Sequence, residues 1–480
     1  MLENKIIESK IANKAFRYFE EISLIPRGSD NEGAIATYIA EFAKARGLEF
    51  YKDEANNVLI RMTGSKGRER EEHVLLQGHT DMVCEKDESV THDFFTDGIK
   101  LYVDNGYLKA KGTTLGADNG IAVAFMLAIL DGEINSHPPI ECLFTAGEEI
   151  GMIGAGKFDY SLLKSKRMIN MDSEAEGKVI ASCAGGVRSE ITVPLMLKKA
   201  MGEGLKVTVG GLFGGHSGED INKGRANANR LMGRLLTELS LKTELGISKV
   251  YGGSKDNAIP RECSAELSVS DFYNTLLAIE EISSAIATEL SSEDRGYFCK
   301  VEHCDVENVM DDDSANKLLL AINHTYSGVI EMSQDVEGLV EWSSNLGVVD
   351  ACGDSARLVF LTRSGMDRRI DYSMALIDRF AEFIGGKAKH FGRYTGWSYA
   401  KSSPIREAYL EAYKKLFDNE ATVEIIHAGL ECGLIKANVP DMDIISIGPE
   451  IIALHSPMER LNIASAERLW TLVEYMLGNI

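Results

Sequence analysis

The chain has 480 residues, 44% of them hydrophobic, and a formal net charge of −22. At roughly 150 residues per domain that is enough for two or three domains, and so acidic a balance disfavours nucleic acid and anionic membrane, which attract lysine and arginine. The opening MLENKIIESKIANKAF lacks the apolar core of a secretory signal, the apolar run Ile121 to Leu130 falls short of the roughly 20 residues that span a bilayer, and eight scattered cysteines without a CxxC pair fit reduced thiols in a cytoplasmic protein.

Residues 1–47 read as helical. Ala15, Phe16, Phe19 and Ile22 recur at helical spacing, and after the breaker Pro26-Arg27-Gly28 so do Ile35, Tyr38, Ile39 and Phe42. Val58 to Met62 reads as a strand. So does the apolar start of HVLLQGHTDMV, His73 to Val83. Side chains two apart on a strand share a side, so His79 and Asp81 lie together at its carboxyl end. In open α/β sheets ligands bind at that end. Imidazole is a common metal ligand. A carboxylate two residues on is either a second ligand or a group that orients the histidine.

Residues 84–112 read as a polar loop. GTTLGADNG, Gly112 to Gly120, reads as a glycine-rich loop before an apolar helix that ends near Gly132. Asp118 and Asn119 then sit at a helix N-terminus, where free N–H groups and the dipole favour a carboxylate. Ile140 to Thr145 is a strand that runs into Glu148 and Glu149. Arg167 to Met171 is a strand that runs into Asp172. Three strand ends and one helix start therefore each deliver His, Asp or Glu.

The texture changes over residues 187–399. Glu190 to Val193 and Lys206 to Val209 alternate as half-buried strands, and Asn222 to Leu241 reads as a helix. A strand, a serine-bearing turn and a helix follow one another near Ser270 and again near Ser364, which points to a duplicated α+β unit. The α/β texture then returns. Arg406 to Leu416 is helical and Thr422 to Ile426 a strand. His427 to Gly433 is a glycine-bearing loop, Asp443 to Ile447 a strand, Leu454 to Pro457 a turn, and Ile463 to Leu477 a helix. Residues 1–186 and 400–480 thus form one discontinuous domain, with residues 187–399 inserted.

His79, Asp118, Glu149, Asp172 and His455 supply two imidazoles and three carboxylates. Such a set suits two borderline divalent ions that share one carboxylate. An uncoordinated acid must take a proton from water, and Glu148 beside Glu149 suits that role. Asp81 suits the fixing of the His79 tautomer. Each position taken singly also reads as a solvated strand end or a plain helix cap, but that reading must then hold five times.

At this point the residues resemble a known family. LLQGHTDMV, VTHDF, KGTTLGADNGI, TAGEEIGMIGA, NMDSEAEG, CAGG, GGHSGEDI, NAIPRE, GW, IHAGLECGL, PDMDIISIGP and HSPMER run in order through the chain. They are similar to the co-catalytic zinc metallopeptidases, and most of all to the aminoacyl-histidine dipeptidases. The resemblance implies a mixed-sheet α/β catalytic domain flanked by helices, with an inserted lid domain. It implies two divalent ions, zinc first, with Mn²⁺ or Co²⁺ suited to the same donors. His79, Glu149, Asp172 and His455 would be ligands and Asp118 the bridge, followed by a cis peptide to Asn119. Asp81 would orient His79 and Glu148 would be the general base.

In the lid, His216 would stabilise the oxyanion, and Asn257 and Arg363 would hold the substrate carboxylate. Short-lid relatives carry an arginine on the strand after their NxIP; here that strand reads AELSVSD, which shifts the role to Arg363. His427, Gly429 and Glu431 match a motif near the substrate. Short-lid relatives lend the histidine across a dimer. This lid is about twice as long, so one half could imitate a partner, and a homodimer stays open. The implied function is a cytoplasmic dipeptidase acting on short peptides, including Xaa-His dipeptides such as carnosine. The alternatives are a tripeptidase, an N-acyl amino acid deacylase, or a metal-binding protein without turnover, which would need neither Glu148 nor His216.

Overall fold

The computed structural model describes residues 7, 11–334, 336 and 338–480. The helical reading of residues 1–6 and 8–10 lies outside these. The chain divides into two compact units. One comprises Met1–Ser182, Tyr399–Ile425 and Leu430–Ile480, the other Cys183–Ser398 and Ile426–Gly429. Among the described residues no helix is long and apolar enough to cross a membrane.

The first unit is built on an eight-stranded sheet. Its central strands Ile140–Thr145, Val74–His79, Arg167–Asn170 and Asp443–Ser446 are parallel neighbours in that order. Val74–His79 and Ile140–Thr145 are buried along their whole length, as expected of parallel strands covered on both faces. Register pairs His79 with Thr145 and Gln77 with Asn170. Their carboxyl ends therefore open at one edge. The helix Ala117–Leu130 is buried at every position but Asp118, which is half-buried. It packs against the strand Val74–His79 and the helix Asn13–Ser23, and this explains why it is apolar on all sides. The helix Asn13–Ser23 turns Ala15, Phe16, Phe19 and Ile22 inward, as its spacing predicts.

Three sequence readings are corrected. Residues 84–112 are not all loop: Leu101–Asp104 and Tyr107–Ala110 form a hairpin. Asn105 and Gly106 turn it with φ of 49° and 80°, the left-handed pair that Asn-Gly favours. The strands are four residues each, so the alternation was too short to read. His427–Gly433 is not all loop either, since a helix begins at Glu431 and runs to Asn438. Finally, the helix expected from Asn222 starts at Ala228. Asn227 caps it by accepting from the N–H groups of Asn229 and Arg230.

The second unit holds a nine-stranded sheet whose pairings are antiparallel. Glu203–Gly210, helix Ala228–Ser240, Leu245–Gly252, Cys263–Val269, helix Phe272–Glu289 and Phe298–His303 form one half. Gly185–Pro194, helix Asp312–His324, Val340–Cys352, Ser355–Ser364, helix Asp367–Phe383 and Lys387–Tyr394 form the other. Each half runs strand, helix, strand, strand, helix, strand. The strand order of one mirrors that of the other about the middle of the sheet. There Val250, Tyr251 and Gly252 pair with Ala351, Asp350 and Val349. The first half is inserted after the first strand of the second. This is the duplication that the recurring strand, turn and helix suggested.

Candidate metal centre

His79 ends its strand and is 1% exposed. Its Nε2 lies 3.1 Å from Asp118 Oδ1 and 3.4 Å from Asp172 Oδ1. His455 Nε2 lies 3.2 Å from Asp118 Oδ2 and 3.2 Å from Glu149 Oε1. Each oxygen of Asp118 thus faces a different imidazole, and each imidazole has its own second carboxylate. Ligand atoms of His79, Asp118 and Asp172 lie within 4.8 Å of one another. So do those of Asp118, Glu149 and His455, and of His79, Glu148 and Glu149.

Each side chain has a local reason to be there. Asp118 and Asn119 leave helical geometry, with Asp118 at φ −79° and ψ 106°, and the peptide between them is cis. Asn119 Oδ1 accepts from His79 N at 3.2 Å, and its Nδ2 donates to Met171 O at 2.7 Å. That side chain links the strand of His79 to the segment of Asp172. His455 sits at φ 53° in the loop between the strands Ile451–Ile452 and Arg460–Asn462. The latter pairs with Tyr107–Ala110. The hairpin that the sequence hid therefore holds the strand beside the fifth candidate ligand.

Asp81 is fully buried. His79 Nδ1 lies 3.3 Å from its Oδ1 and 3.2 Å from its carbonyl. Its two oxygens also accept from the N–H of Glu148 at 3.0 Å and of Glu149 at 3.2 Å. One carboxylate thus faces the histidine and ties down both acids of the glycine-rich turn. Ser29 Oγ donates to it as well, at 2.9 Å.

The centre is rich in negative charge. Burial pushes the Glu148 carboxyl well up, helped by Asp172, Glu431 and Glu149 against the pull of His79. Burial also raises Asp172 to about 6 and Glu431 to about 7. Hydrogen bonds to Asp118 and Glu149 raise the His455 imidazole to about 11. Glu149 Oε1 is buried and has His455 Nε2 3.2 Å away. Crowded, buried acids beside two imidazoles fit divalent cations, which accept N and O donors of this kind.

Glu431 lies deeper. Its Oε2 accepts from Gln77 Nε2 at 2.5 Å and Thr145 Oγ1 at 2.6 Å. Gln77 in turn accepts from Asn170 Nδ2 at 2.6 Å. Glu431 therefore braces the carboxyl ends of three strands. His427 and Gly429 belong to the second unit, so this motif is divided between the two.

The second unit carries its own cluster. Gly215 and His216 pair with Ile259 and Ala258, beside Asn257, whose carbonyl accepts from Ser217 N at 2.9 Å. Arg363, near the end of its strand, donates to Tyr394 Oη at 2.6 Å and lies 3.4 Å from His216 Nε2. Glu219 N donates to His216 Nδ1 at 3.3 Å, which assigns the proton to Nε2. Burial and the Arg363 charge lower His216, and the same causes with His216 bring His427 down to about 3. His427 Nε2 pairs with Ser343 Oγ at 2.6 Å.

Two residues at the metal centre were not singled out in the sequence. Arg27, read as part of a breaker, is 2% exposed and donates to the carbonyls of Thr80, Asp81 and Gly116. Glu459, in HSPMER, is 3% exposed and accepts from four consecutive N–H groups, Leu115 to Asp118. The only sequence signal was an acid four residues after His455 and an arginine between glycine and proline.

Comparison with known proteins bears out the resemblance. Residues 207–297 match the model of a peptidase dimerisation domain, and residues 57–204 that of peptidase family M28. The cytosol non-specific dipeptidase of Escherichia coli K12 is 37% identical over 474 residues, 96% of each chain. The crystal structure of aminoacylhistidine dipeptidase from Vibrio alginolyticus is 35% identical and superposes over 98% of each chain with a TM-score of 0.91. The aminopeptidase PepT of Bacillus cereus, 14% identical over 99% of each chain with a TM-score of 0.56, shares the fold. The chain therefore belongs to the metallopeptidase family that includes the Escherichia coli and Vibrio alginolyticus dipeptidases.

Proposed function

We propose that the protein hydrolyses dipeptides at two divalent ions in the first unit. His79 and Asp172 would hold one, His455 and Glu149 the other, and Asp118, which faces both imidazoles, would serve both. The observation that carries this reading is the division of the Asp118 oxygens between two imidazoles, at 3.1 and 3.2 Å. When bound, such ions supply Lewis-acid polarisation of a carbonyl and acidify water.

The chain's own residues do the rest. Glu148 stays free of ligation, takes the proton of the attacking water and passes it to the leaving amine. Asp81 accepts from His79 Nδ1, so that Nε2 stays free to ligate. In the second unit, the proton on His216 Nε2 and the Arg363 guanidinium are two donors 3.4 Å apart. An anionic oxygen between them would satisfy both. We assign His216 to the oxyanion, and Arg363 with Asn257 to the substrate carboxylate. His427 and Gly429 line the same substrate region, and Glu431 supports the centre from below.

The substrates are dipeptides with a broad choice of first residue, Xaa-His dipeptides among them. One similar enzyme is called non-specific and another aminoacylhistidine dipeptidase. Zinc is the first candidate ion, and Mn²⁺ and Co²⁺ suit the same donors. The location is cytoplasmic, as the name of the Escherichia coli relative says of that protein. The second unit is the lid. Its middle pairing, Val250–Gly252 with 349–351, occupies an edge that a partner subunit could otherwise use. A homodimer is then unnecessary for catalysis.

Metal content and a panel of dipeptides, tripeptides and N-acyl amino acids, measured on one preparation, test the reading. Two ions per chain and a preference for dipeptides are expected. Preference for N-acyl amino acids would replace the dipeptidase with a deacylase. Light scattering beside kinetics tests the lid: activity that falls in step with loss of a dimer would overturn the internal substitute.

A further inference from the structure

The ligand Asp118 sits where its own helix cannot hold it. Its φ and ψ, and those of Asn119, are non-helical, so the regular ladder does not fix the carboxylate. Yet its two oxygens must face two different imidazoles. Something outside the helix has to set the turn before it.

We propose that Arg27 and Glu459 are positioning residues that clamp the Leu115–Asp118 turn and thereby set the spacing between the candidate ligands. The inference rests on the two-ion reading above. Arg27 Nη1 donates to Thr80 O at 3.1 Å and Asp81 O at 3.3 Å, just after His79, and Nη2 donates to Gly116 O at 2.5 Å. The guanidinium thus ties the segment of His79 to the turn of Asp118. Glu459 Oε2 accepts from Leu115 N at 2.7 Å and Gly116 N at 2.9 Å. Its Oε1 accepts from Ala117 N at 2.8 Å and Asp118 N at 3.3 Å. Glu459 lies four residues after His455, so it ties the loop of His455 to the same turn. One planar cation and one planar anion therefore hold three ligand-bearing segments in register.

The glycines of LGADNG fit this clamp. A Cβ on Gly116 or Gly120 would lie 2.5 Å from Arg27 Nη2. Gly116 also has φ 69°, which favours glycine in its own right. Gly120 has no such conformational need; a Cβ there would meet Arg27 most closely, with Phe19 Cε2 next at 3.2 Å.

Zinc affinity of the full chain, stripped of metal and titrated against a chromophoric chelator, tests the clamp. Glu459→Gln keeps the volume but turns an amide NH₂ toward N–H donors. It should weaken zinc binding about 10- to 100-fold, the usual effect of losing a group that orients a ligand. Excess zinc should restore kcat with KM unchanged. Gly120→Ala leaves every candidate ligand, Arg27 and Glu459 chemically intact, and alanine favours a helix. It should nonetheless weaken zinc binding by displacing Arg27, and it decides the matter if Glu459→Gln yields no folded protein. Zinc affinity within twofold of wild type in the folded variants, with or without a lowered melting temperature of the metal-free form, overturns the clamp. A wild-type chain that takes up no zinc overturns the two-ion reading instead.

Discussion

The two units place chemistry by different means. In the first, parallel strands buried on both faces stop at one edge of the sheet, and His79, Glu148, Glu149 and Asp172 follow directly from those ends. Their positions are fixed by backbone register and, for His79, Glu148 and Glu149, by the buried carboxylate of Asp81. In the second, an antiparallel sheet is made twice over, and its charged groups come from opposite halves. His216 belongs to the inserted half and Arg363 to the half that encloses it, yet their nitrogens lie 3.4 Å apart. A metal centre needs several donors within a few ångströms, and one sheet edge supplies them. Two groups such as His216 and Arg363 can instead be brought together across a duplication, because only two must meet.

The largest effect should come from the first unit. Glu148→Ala should lower kcat by up to about 10⁴-fold, with metal content unchanged on elemental analysis. Unaltered turnover would remove Glu148 from the chemistry. His216→Ala should lower kcat by about 10²–10³-fold and leave zinc affinity as it was. A change in metal content instead would mean that the second unit helps build the centre. Arg363→Met should act mainly on KM, raising it roughly 10- to 100-fold for a charge-assisted bond lost. A dipeptide amide, lacking the free carboxylate, should show little difference between wild type and variant. An equal loss with the amide would sink the carboxylate assignment.

The smallest effect concerns stability. Burial pushes the Glu431 carboxyl up to about 7 in the metal-free fold, against an ordinary 4.5. Between these values the folded, metal-free chain holds this proton more tightly than the unfolded chain. Its stability should therefore fall as pH rises through that window, by at most about 3 kcal/mol. Glu431→Gln should remove that part of the slope, read as denaturant midpoints of the metal-free forms at about pH 5 and pH 8. Parallel slopes in the two proteins would show that Glu431 is ionised throughout.

Much of the site was legible because its donors follow short apolar strands. A run such as Val74–Leu76 announces a buried strand, and the first polar residue after it marks the carboxyl end. The duplication was visible as a repeated strand, turn and helix, but not its arrangement. One half inserted into the other, and a sheet continuous across the pairing of Val250 with Ala351, depend on contacts far apart in sequence. The hairpin Leu101–Ala110 went unread although Asn105-Gly106 signals such a turn. Four-residue strands give too little alternation to be seen. Arg27 and Glu459 were hidden for another reason. Buried charges look like surface charges in a sequence, and only their partners distinguish them.

The sequence by itself determined which residue types stand at the ends of strands and at the start of one helix, the apolar runs that bury those elements, and the family to which they belong. Local periodicity and chain order suffice for that. Only the tertiary structure decided that His455 reaches Asp118 across 337 positions of sequence, that Asp118 offers one oxygen to each imidazole, and that Arg363 and His216 converge from different halves. Those placements depend on hydrogen bonds and packing between distant segments, which no local pattern encodes.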